Sequence, residues 1–388
     1  MKIRMYLIFS FILVIMSILF SSCSGNTDLL KARKAFVQQA SGNIAIGVVW
    51  PISEMKADMG FINGVEMAVD EINSEGGVAG QLLEVRLEDE KPSFNESMTI
   101  AQNFTLQKDI VAVVGYWEPY ITIPAAKIYN DAGLIMLSPA VSNNILTEKG
   151  YKYVFRNTLS DNEMGKQISA YIRTKGYERA VVFYEDNDYG RGVAKSFENT
   201  FIETGAEIVD RATAFSNEIE FKKAYDKWTA LDFDVVFMVD SLPSAAIFLN
   251  QLRSVDKDIP VYAADAIDLD NLPLTLGEAG EGLYVATTFN INQDRAETQK
   301  FIEAYRKKYG LEPDTWAVQG YDSIKLLAHA IGQAKSTDPD KLADVIHNIR
   351  NWNGVIGNIS FDAEGNMIGE GIFMKVIKER RFQYFDNK

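Results

Sequence analysis

The feature that most restricts the fold is a repeated alternation of short apolar runs and longer amphipathic segments. In the first series, the apolar runs lie at residues 44–50, 82–87, 110–114 and 134–137. The segments between them predict helices near 61–73, 95–108 and 120–132. Runs such as "IVAVV" (110–114) are apolar on both faces, as parallel strands covered by helices on both sides need to be. The pattern therefore predicts an α/β fold with a doubly wound parallel sheet.

The same alternation restarts at Ser160-Asp161-Asn162-Glu163, which has the form of a capping box and predicts the start of a helix. Further strands are expected at 179–185, 207–211, 234–239, 260–264 and 282–289, with helices near 191–204, 217–231 and 243–254. Two such series predict two lobes of similar plan. Helical segments then follow near 296–309, 315–334 and 338–350, and the alternating tail predicts additional strands.

A ligand of an open parallel sheet binds beyond the carboxyl ends of the strands. The loops at those ends are rich in aromatic, hydroxyl and acidic side chains. They contain no histidine and no glycine-rich phosphate-binding motif, since His329 and His347 both fall in helical segments near the C-terminus. The sequence therefore predicts a small-molecule binding site rather than an enzyme, with neither a metal nor a cofactor.

Residues 1–22 have the parts of an export signal: basic residues, then an apolar run over 5–20, then two serines. The run is shorter than the roughly 20 residues of a membrane-spanning helix. Cys23, the only cysteine, resembles the lipid-modified cysteine of bacterial lipoproteins, which implies cleavage before it and a diacylglyceryl group on its sulfur. Residues 23–43 would then be a polar spacer. A plain secretory signal with an incidental cysteine is the alternative.

The formal net charge is −14, and removal of residues 1–22 would take away two more positive charges. An acidic surface argues against nucleic acid as a partner, and equally against binding to an anionic membrane surface through charge. Contact with a membrane is therefore expected through the lipid on Cys23 alone.

Four segments carry a resemblance to a known family: "GFINGVEMAVDEINSEGGVAGQLLEVRLED" (60–89), "SPAVSNNILTEKGYKYVFRN" (138–157), "VVFYEDNDYGRGVAKSF" (181–197) and "GVIGNISFDAEGN" (354–366). Together they resemble the leucine/isoleucine/valine-binding-protein branch of type I periplasmic binding proteins, the extracytoplasmic receptors of ABC importers. The resemblance implies two Rossmann-like lobes joined by three hinge crossovers, with the ligand cleft between them. Lobe I would hold residues 44–160 and 289–372, and lobe II residues 161–288 and 373–388.

The resemblance also assigns site residues. The loop after the fourth strand would hold an amino-acid ligand through backbone atoms and a hydroxyl, at Ala140, Val141 and Ser142. Tyr189 would close over the ligand from lobe II, and Asp265 would pair with its ammonium group.

Other positions depart from the family pattern. Thr122 matches a hydroxyl residue that holds the ligand carboxylate, but Pro119 stands where serine is usual and has no donor to offer. Asp240-Ser241 replaces a segment that usually carries glycine and an aromatic residue. The predicted site is completed by three aromatic side chains at the strand ends: Trp50, Trp117 and Tyr120.

Rings and carboxylates together suit a ligand that carries a cation. An ordinary apolar amino acid is the alternative, with some of these side chains facing solvent, and amides or aromatic acids are further options. The predicted partners are a small-molecule ligand and the permease subunits of an ABC importer, and the protein is expected to be a monomer. A ligand sensor of the same fold, signalling to a membrane receptor, is the second functional class.

Overall fold

The computed structural model describes residues 29–37, 42–54, 59–369 and 371–384. The predicted export signal and Cys23 lie outside the described residues, as does the end of the predicted lobe II, residues 385–388. Within the described ranges, every helix is too short or too polar to span a bilayer.

Lobe I is built on a five-stranded, wholly parallel sheet in the order β2-β1-β3-β4-β5. Its strands are β1 (Ile44–Trp50), β2 (Leu83–Asp89), β3 (Ile110–Gly115), β4 (Ile135–Ser138) and β5 (Val154–Arg156). The helices between them are α2 (Gly60–Ser74), α3 (Phe94–Leu106), α4 (Pro119–Asp131) and the short α5 (Ile145–Glu148). Strands β1 and β3 are buried along their whole length, which confirms the prediction from their apolar sequences.

Lobe II is built on a seven-stranded sheet in the order β15-β14-β10-β9-β8-β6-β7. The parallel strands are β6 (Arg179–Tyr184), β7 (Glu207–Ala212), β8 (Val235–Val239), β9 (Val261–Ala263) and β10 (Leu283–Thr287). The helices are α6 (Asp161–Thr174), α7 (Asp188–Glu203), α8 (Glu218–Ala230), α9 (Ser244–Val255) and α10 (Leu272–Leu276). The tail adds two antiparallel strands to this sheet, β14 (Phe373–Lys378) and β15 (Arg381–Tyr384).

Between β10 and β14 the chain returns to lobe I. This part contains α11 (Ala296–Tyr309), α12 (Thr315–Ala334), α13 (Pro339–His347) and a small antiparallel sheet of β11 (Trp352–Asn353), β12 (Asn358–Phe361) and β13 (Met367–Ile368). Helix α12 packs closely on α2, because a Cβ atom on Gly64 would lie 2.0 Å from the carbonyl oxygen of Ala317. Glycine at this position therefore allows the two helix backbones to meet.

The chain passes between the two sheets three times, after β5, after β10 and after β13. Ser160 is the N-cap of α6, the helix that follows the first of these crossings. Its Oγ accepts the N–H of Glu163 at 3.2 Å, as the capping-box pattern predicts. The lobe boundaries expected at residues 160, 288 and 372 fall within these three connections and stay a prediction.

Residues 29–37 form a helix, α1, which lies on lobe I. The guanidinium of Arg33 is buried and donates to the carbonyl oxygens of Thr105 at 3.1 Å and of Ile110. These carbonyls belong to the last turn of α3, where helical partners run out, and to the start of β3. The described part of the predicted spacer is thus packed against the folded body rather than extended away from it.

Candidate ligand-binding site

A cavity of about 350 Å³ lies between the two lobes, beyond the carboxyl ends of β3, β4, β6, β8 and β9. Its size is in the range of small-molecule sites. The lobe I wall consists of Trp117, Glu118, Pro119, Tyr120, Ala140, Val141, Ser142 and Trp316. The lobe II wall consists of Glu185, Asn187, Asp188, Tyr189, Arg191, Ser241, Asp265 and Ala266.

Most of the residues predicted from sequence line this cavity: Trp117, Pro119, Tyr120, Ala140, Val141, Ser142, Tyr189, Ser241 and Asp265. Trp50, Thr122 and Asp240 do not. Thr122 is buried, and its Oγ1 donates to the carbonyl oxygen of Glu118 at 2.7 Å, inside α4. Its hydroxyl therefore serves the helix in this conformation and is turned away from the cavity.

Asp240 is also behind the wall. It is 2% exposed, and its Oδ1 accepts the backbone N–H of Ser241 at 2.8 Å. Burial raises the pKa of Asp240 to about 6. The negative charge that the sequence places at this loop therefore lies beneath the cavity rather than on its surface.

The aromatic part of the wall is a group of three tryptophans. Trp50 is buried and stacks on Phe61 with ring centroids 3.8 Å apart, and it meets Trp117 edge-on at 5.3 Å. Trp117 in turn meets Trp316, from the first turn of α12, at 4.6 Å. Trp50 therefore supports the two indoles that face the cavity, and such aromatic contacts hold the rings in defined positions.

The loop that carries Trp117 is held from below by Glu90. The backbone N–H groups of Trp117 and Glu118 donate to the two carboxylate oxygens of Glu90 at 2.6 and 3.1 Å. Burial raises the pKa of Glu90 to about 7, although both hydrogen bonds act in the opposite direction. Pro119 follows at the first position of α4, where a missing N–H is tolerated. In this loop, two N–H groups that could hold a ligand carboxylate are already occupied.

The loop after β4 is held by Arg156, which is 1% exposed. Its guanidinium donates to the carbonyl oxygens of Ser142 and Asn143, the latter at 2.9 Å, and lies 3.5 Å from those of Val141 and Asn144. Burial lowers the pKa of Arg156 to about 10, so the group is still charged at neutral pH. One buried cation therefore fixes the backbone of this loop, in which residues 140–142 face the cavity.

On the lobe II wall, Tyr189 and Asp265 form one unit. The Tyr189 hydroxyl donates to Asp265 Oδ1 at 2.7 Å and lies 3.3 Å from the backbone nitrogen of Ala266, which donates to it. Burial raises the pKa of Asp265 to about 6, and the nearby charge of Asp268 acts in the same direction. The two residues predicted separately from sequence are therefore joined by a hydrogen bond.

Two more carboxylates face each other across the cavity, Glu118 from lobe I and Glu185 from lobe II. Burial raises the pKa of Glu118, and the charge of Glu185 adds to the effect. Arg191 is the only cationic side chain among the described lining residues, and it is paired with Asp186 at 2.6 Å and Asp188 at 2.9 Å. The cavity is therefore acidic.

Sequence reasoning missed Trp316 and Arg191. Both lie inside the first turn of a helix, whereas the predicted site residues lie at or just after the ends of strands. The signal available for Trp316 was its place directly after Asp314-Thr315, where Asp314 caps α12 by accepting the N–H of Ala317 at 2.7 Å.

The fold and the interlobe cavity match known proteins. The sequence profile of a family described as periplasmic binding protein matches residues 43–380. The chain belongs to this periplasmic binding protein family. Members and structural neighbours are substrate-binding proteins, so the chain is an exported solute-binding protein and not an enzyme. Among the described residues, no group of three or more histidine, cysteine or acidic side chains is arranged to hold a metal ion.

Individual relatives place the chain in the leucine/isoleucine/valine-binding branch. The Leu/Ile/Val-binding protein homolog 1 of Brucella abortus is 25% identical over 341 residues, 87% of this chain and 91% of its own length. An ABC transporter substrate-binding protein from Desulfitobacterium hafniense, in complex with Leu, is 38% identical with a TM-score of 0.83, over 88% of this chain and 100% of its own. The substrate binding protein LivJ of Streptococcus pneumoniae, in complex with isoleucine, is 29% identical with a TM-score of 0.77, over 88% and 98%.

The role of Arg156 in this binding protein is testable by Arg156→Lys. Lysine cannot reproduce the planar set of donors, so several carbonyls of the loop would each lose one donor, and we expect a loss of roughly 2–4 kcal/mol in the free energy of unfolding. We also expect weaker ligand binding, measured by calorimetry below the melting temperature. We call the loop after β4, residues 139–144, the ligand loop. Thr147→Val is the control, because it removes a 2.7 Å contact of the same guanidinium outside this loop. Equal binding by Arg156→Lys and the parent protein would contradict the assignment.

The buried acids predict how stability depends on pH. The pKa of Glu90 is about 7 in the folded protein and near 4.5 in the unfolded chain, so the folded state binds the proton more tightly. The contribution of Glu90 to the free energy of unfolding is therefore complete below about pH 4.5 and is lost as the pH rises through 7. Each unit of pKa difference corresponds to about 1.4 kcal/mol. Urea unfolding should show greater stability at pH 5.5 than at pH 7.5.

Glu90→Gln should reduce this difference between the two pH values. The exposed neighbour Glu88→Gln is the matched control and should leave the difference unchanged. If both substitutions have the same effect, the general negative charge of the protein rather than Glu90 sets the pH dependence.

Proposed function

We propose that this protein is an extracytoplasmic receptor that captures an amino-acid-like compound with an ammonium group and delivers it to an ABC importer. The main support is that Tyr189 donates a hydrogen bond to Asp265, and both line the same cavity as residues 140–142 of the loop after β4. An ammonium group between them would find a carboxylate on one side and backbone and hydroxyl oxygens on the other. Charge-assisted hydrogen bonds of this kind are the strong ones.

The side chain of the ligand has two candidates. The indoles of Trp117 and Trp316 favour an apolar group, and the relatives named above were solved with leucine and isoleucine. The facing carboxylates Glu118 and Glu185 favour instead a second cationic group, which would relieve their repulsion and could also lie against an indole. Both candidates share the ammonium group, whereas an aromatic acid without one would bring negative charge into an acidic cavity.

Capture of the ligand would proceed by hinge closure. A ligand that touches both lobes only when they are close together shifts the population toward the closed form by its differential affinity. A sensor of the same fold would use the same step and signal to a membrane receptor. Genes for permeases and ATPases beside this one would favour import, and a gene for a kinase or chemoreceptor would favour sensing.

Asp265→Asn should weaken the binding of an ammonium compound by roughly a hundredfold, because the cation loses its counter-charge in a desolvated site. The measurement is a thermal-shift screen of amino acids, diamines, amides and aromatic acids, followed by calorimetry on each compound that stabilises the protein. Saturation to one hundred times the dissociation constant corresponds to about 2.7 kcal/mol of stabilisation.

The control for Asp265→Asn is Asp258→Asn, an exposed aspartate of the same lobe outside the cavity, which should bind as the parent does. Unchanged affinity of Asp265→Asn would remove this residue from the site. The doubly substituted Glu118→Gln, Glu185→Gln distinguishes the side-chain candidates: it should abolish a preference for dicationic compounds and leave binding of leucine or isoleucine nearly intact.

We further propose that the receptor is held at the membrane by a lipid on Cys23 after removal of residues 1–22. The support is the sequence around Cys23 together with the absence of any other cysteine. Cys23→Ala should move the protein from the membrane fraction to the soluble fraction, as measured by fractionation and immunoblotting. Binding by the released protein should be unchanged, because α1 and the cleft do not include Cys23. Retention in the membrane fraction would contradict the lipid attachment.

A further inference from the structure

A polar cluster of three buried residues and one partly buried residue lies close to the hinge connections and outside the ligand cavity. Asp268 and Lys375 form an ion pair, and the side chain of each is 3% exposed. Thr315 Oγ1 donates to Asp268 Oδ2 at 2.7 Å, and Thr287 Oγ1 lies 3.1 Å from Thr315 Oγ1. We call these four residues the hinge cluster.

The members of the hinge cluster come from elements that meet where the chain changes lobes. Thr287 ends β10, and the second crossover follows it. Lys375 lies in β14, two residues after that strand begins and directly downstream of the third crossover. Asp268 follows β9 in lobe II, whereas Thr315 is the first residue of α12, which packs on α2 in lobe I. The bond from Thr315 to Asp268 therefore joins the two lobes.

The direction of the hydrogen bonds follows from the chemistry of the groups. A carboxylate can only accept, so the Thr315 hydroxyl donates its proton to Asp268. The single hydroxyl proton of Thr287 has two acceptors within reach, the carbonyl oxygen of Phe289 at 3.0 Å and Thr315 Oγ1 at 3.1 Å. Lys375 balances the charge of Asp268, and its Nζ also lies 3.7 Å from the ring centroid of Phe382. Lys375 therefore balances the charge of Asp268 without Thr315. The hydrogen bond from the Thr315 hydroxyl to Asp268 adds a link between the lobes.

Each side of this link continues directly into a wall of the cavity. Trp316, next to Thr315, lines the lobe I wall, and Asp265, three residues before Asp268, lines the lobe II wall. The backbone N–H of Asp268 donates to the carbonyl oxygen of Asp265 at 2.9 Å, so the two aspartates are held in one turn. A shift between Thr315 and Asp268 would therefore change the distance between an indole and the carboxylate opposite it.

We propose that the hinge cluster is a positioning device in which the Thr315 hydroxyl stabilises the arrangement of the lobes seen here. This inference rests on the proposed binding function only for its consequence, which is a higher population of the binding-competent form and hence a higher apparent affinity. The link joins Thr315 and Asp268, which lie outside the cavity. It can therefore be tested without knowledge of the ligand.

The test substitutes Thr315→Val, which keeps the shape of the side chain and removes the donor, and Thr315→Ser, which keeps the donor. In a Cys23→Ala background the chain has no cysteine, so spin labels can be placed on Asn95→Cys in α3 of lobe I and Lys195→Cys in α7 of lobe II, both exposed. Double electron–electron resonance then gives the interlobe distance distribution without ligand.

We expect Thr315→Val to broaden this distribution or shift its maximum, and Thr315→Ser to reproduce that of the parent. A role in folding alone would lower the melting temperature of Thr315→Val and leave its distance distribution unchanged, which would overturn the proposal. An equal shift in both variants would also overturn it, because the effect would then come from packing rather than from the hydroxyl. If a ligand emerges from the thermal-shift screen, its affinity for Thr315→Val should be roughly fivefold to tenfold lower.

Discussion

The ligand loop depends on the hydrogen bonds that the guanidinium of Arg156 donates to its carbonyl oxygens. The guanidinium gathers the carbonyl oxygens of residues 141–144 around one buried cation. The oxygens of Ser142, Asn143 and Asn144 also accept backbone N–H groups, so Arg156 adds a second donor to each of them. Arg156 ends β5, and the chain leaves lobe I directly after it. The next residues bond back to the same loop, because Asn157 donates its N–H to Ser138 at 3.1 Å and Asp161 donates to Ser142 at 2.8 Å. The ligand loop and the first hinge connection are therefore one hydrogen-bonded unit.

An element of this structure can be predicted from sequence when the interactions that form it lie close together along the chain. Periodicity is local, so β1, β3 and the helices α11 (Ala296–Tyr309) and α12 (Thr315–Ala334) are found where it predicts them. The antiparallel placement of β14 beside β10 involves residues far apart in the chain, and no local pattern specifies it. The Glu90 carboxylate is similar: it holds a loop that begins 27 residues later, and nothing near Glu90 in the sequence indicates that partner.

For the site, the strand-end rule predicts which loops reach the cavity but not which way each side chain points. Trp50 ends β1 and Asp240 directly follows β8; strand side chains alternate between faces, and both of these are turned inward. Thr122 lies one turn into α4, where the helix carbonyl of Glu118 is nearer to its hydroxyl than the cavity is. Trp316 reaches the cavity because α12 begins there, which only the packing of α12 on α2 determines.

The distribution of charge between the lobes gives a physical reason why closure would need a ligand. Glu118 on lobe I and Glu185 on lobe II repel each other, and that repulsion grows as the lobes approach and water leaves the cavity. A cation between them turns the repulsion into two attractions, whereas an empty cleft keeps it. For a ligand with a second cationic group, Glu118 and Glu185 would both select the ligand and hold the unliganded form open, so that recognition and closure would share one electrostatic cause.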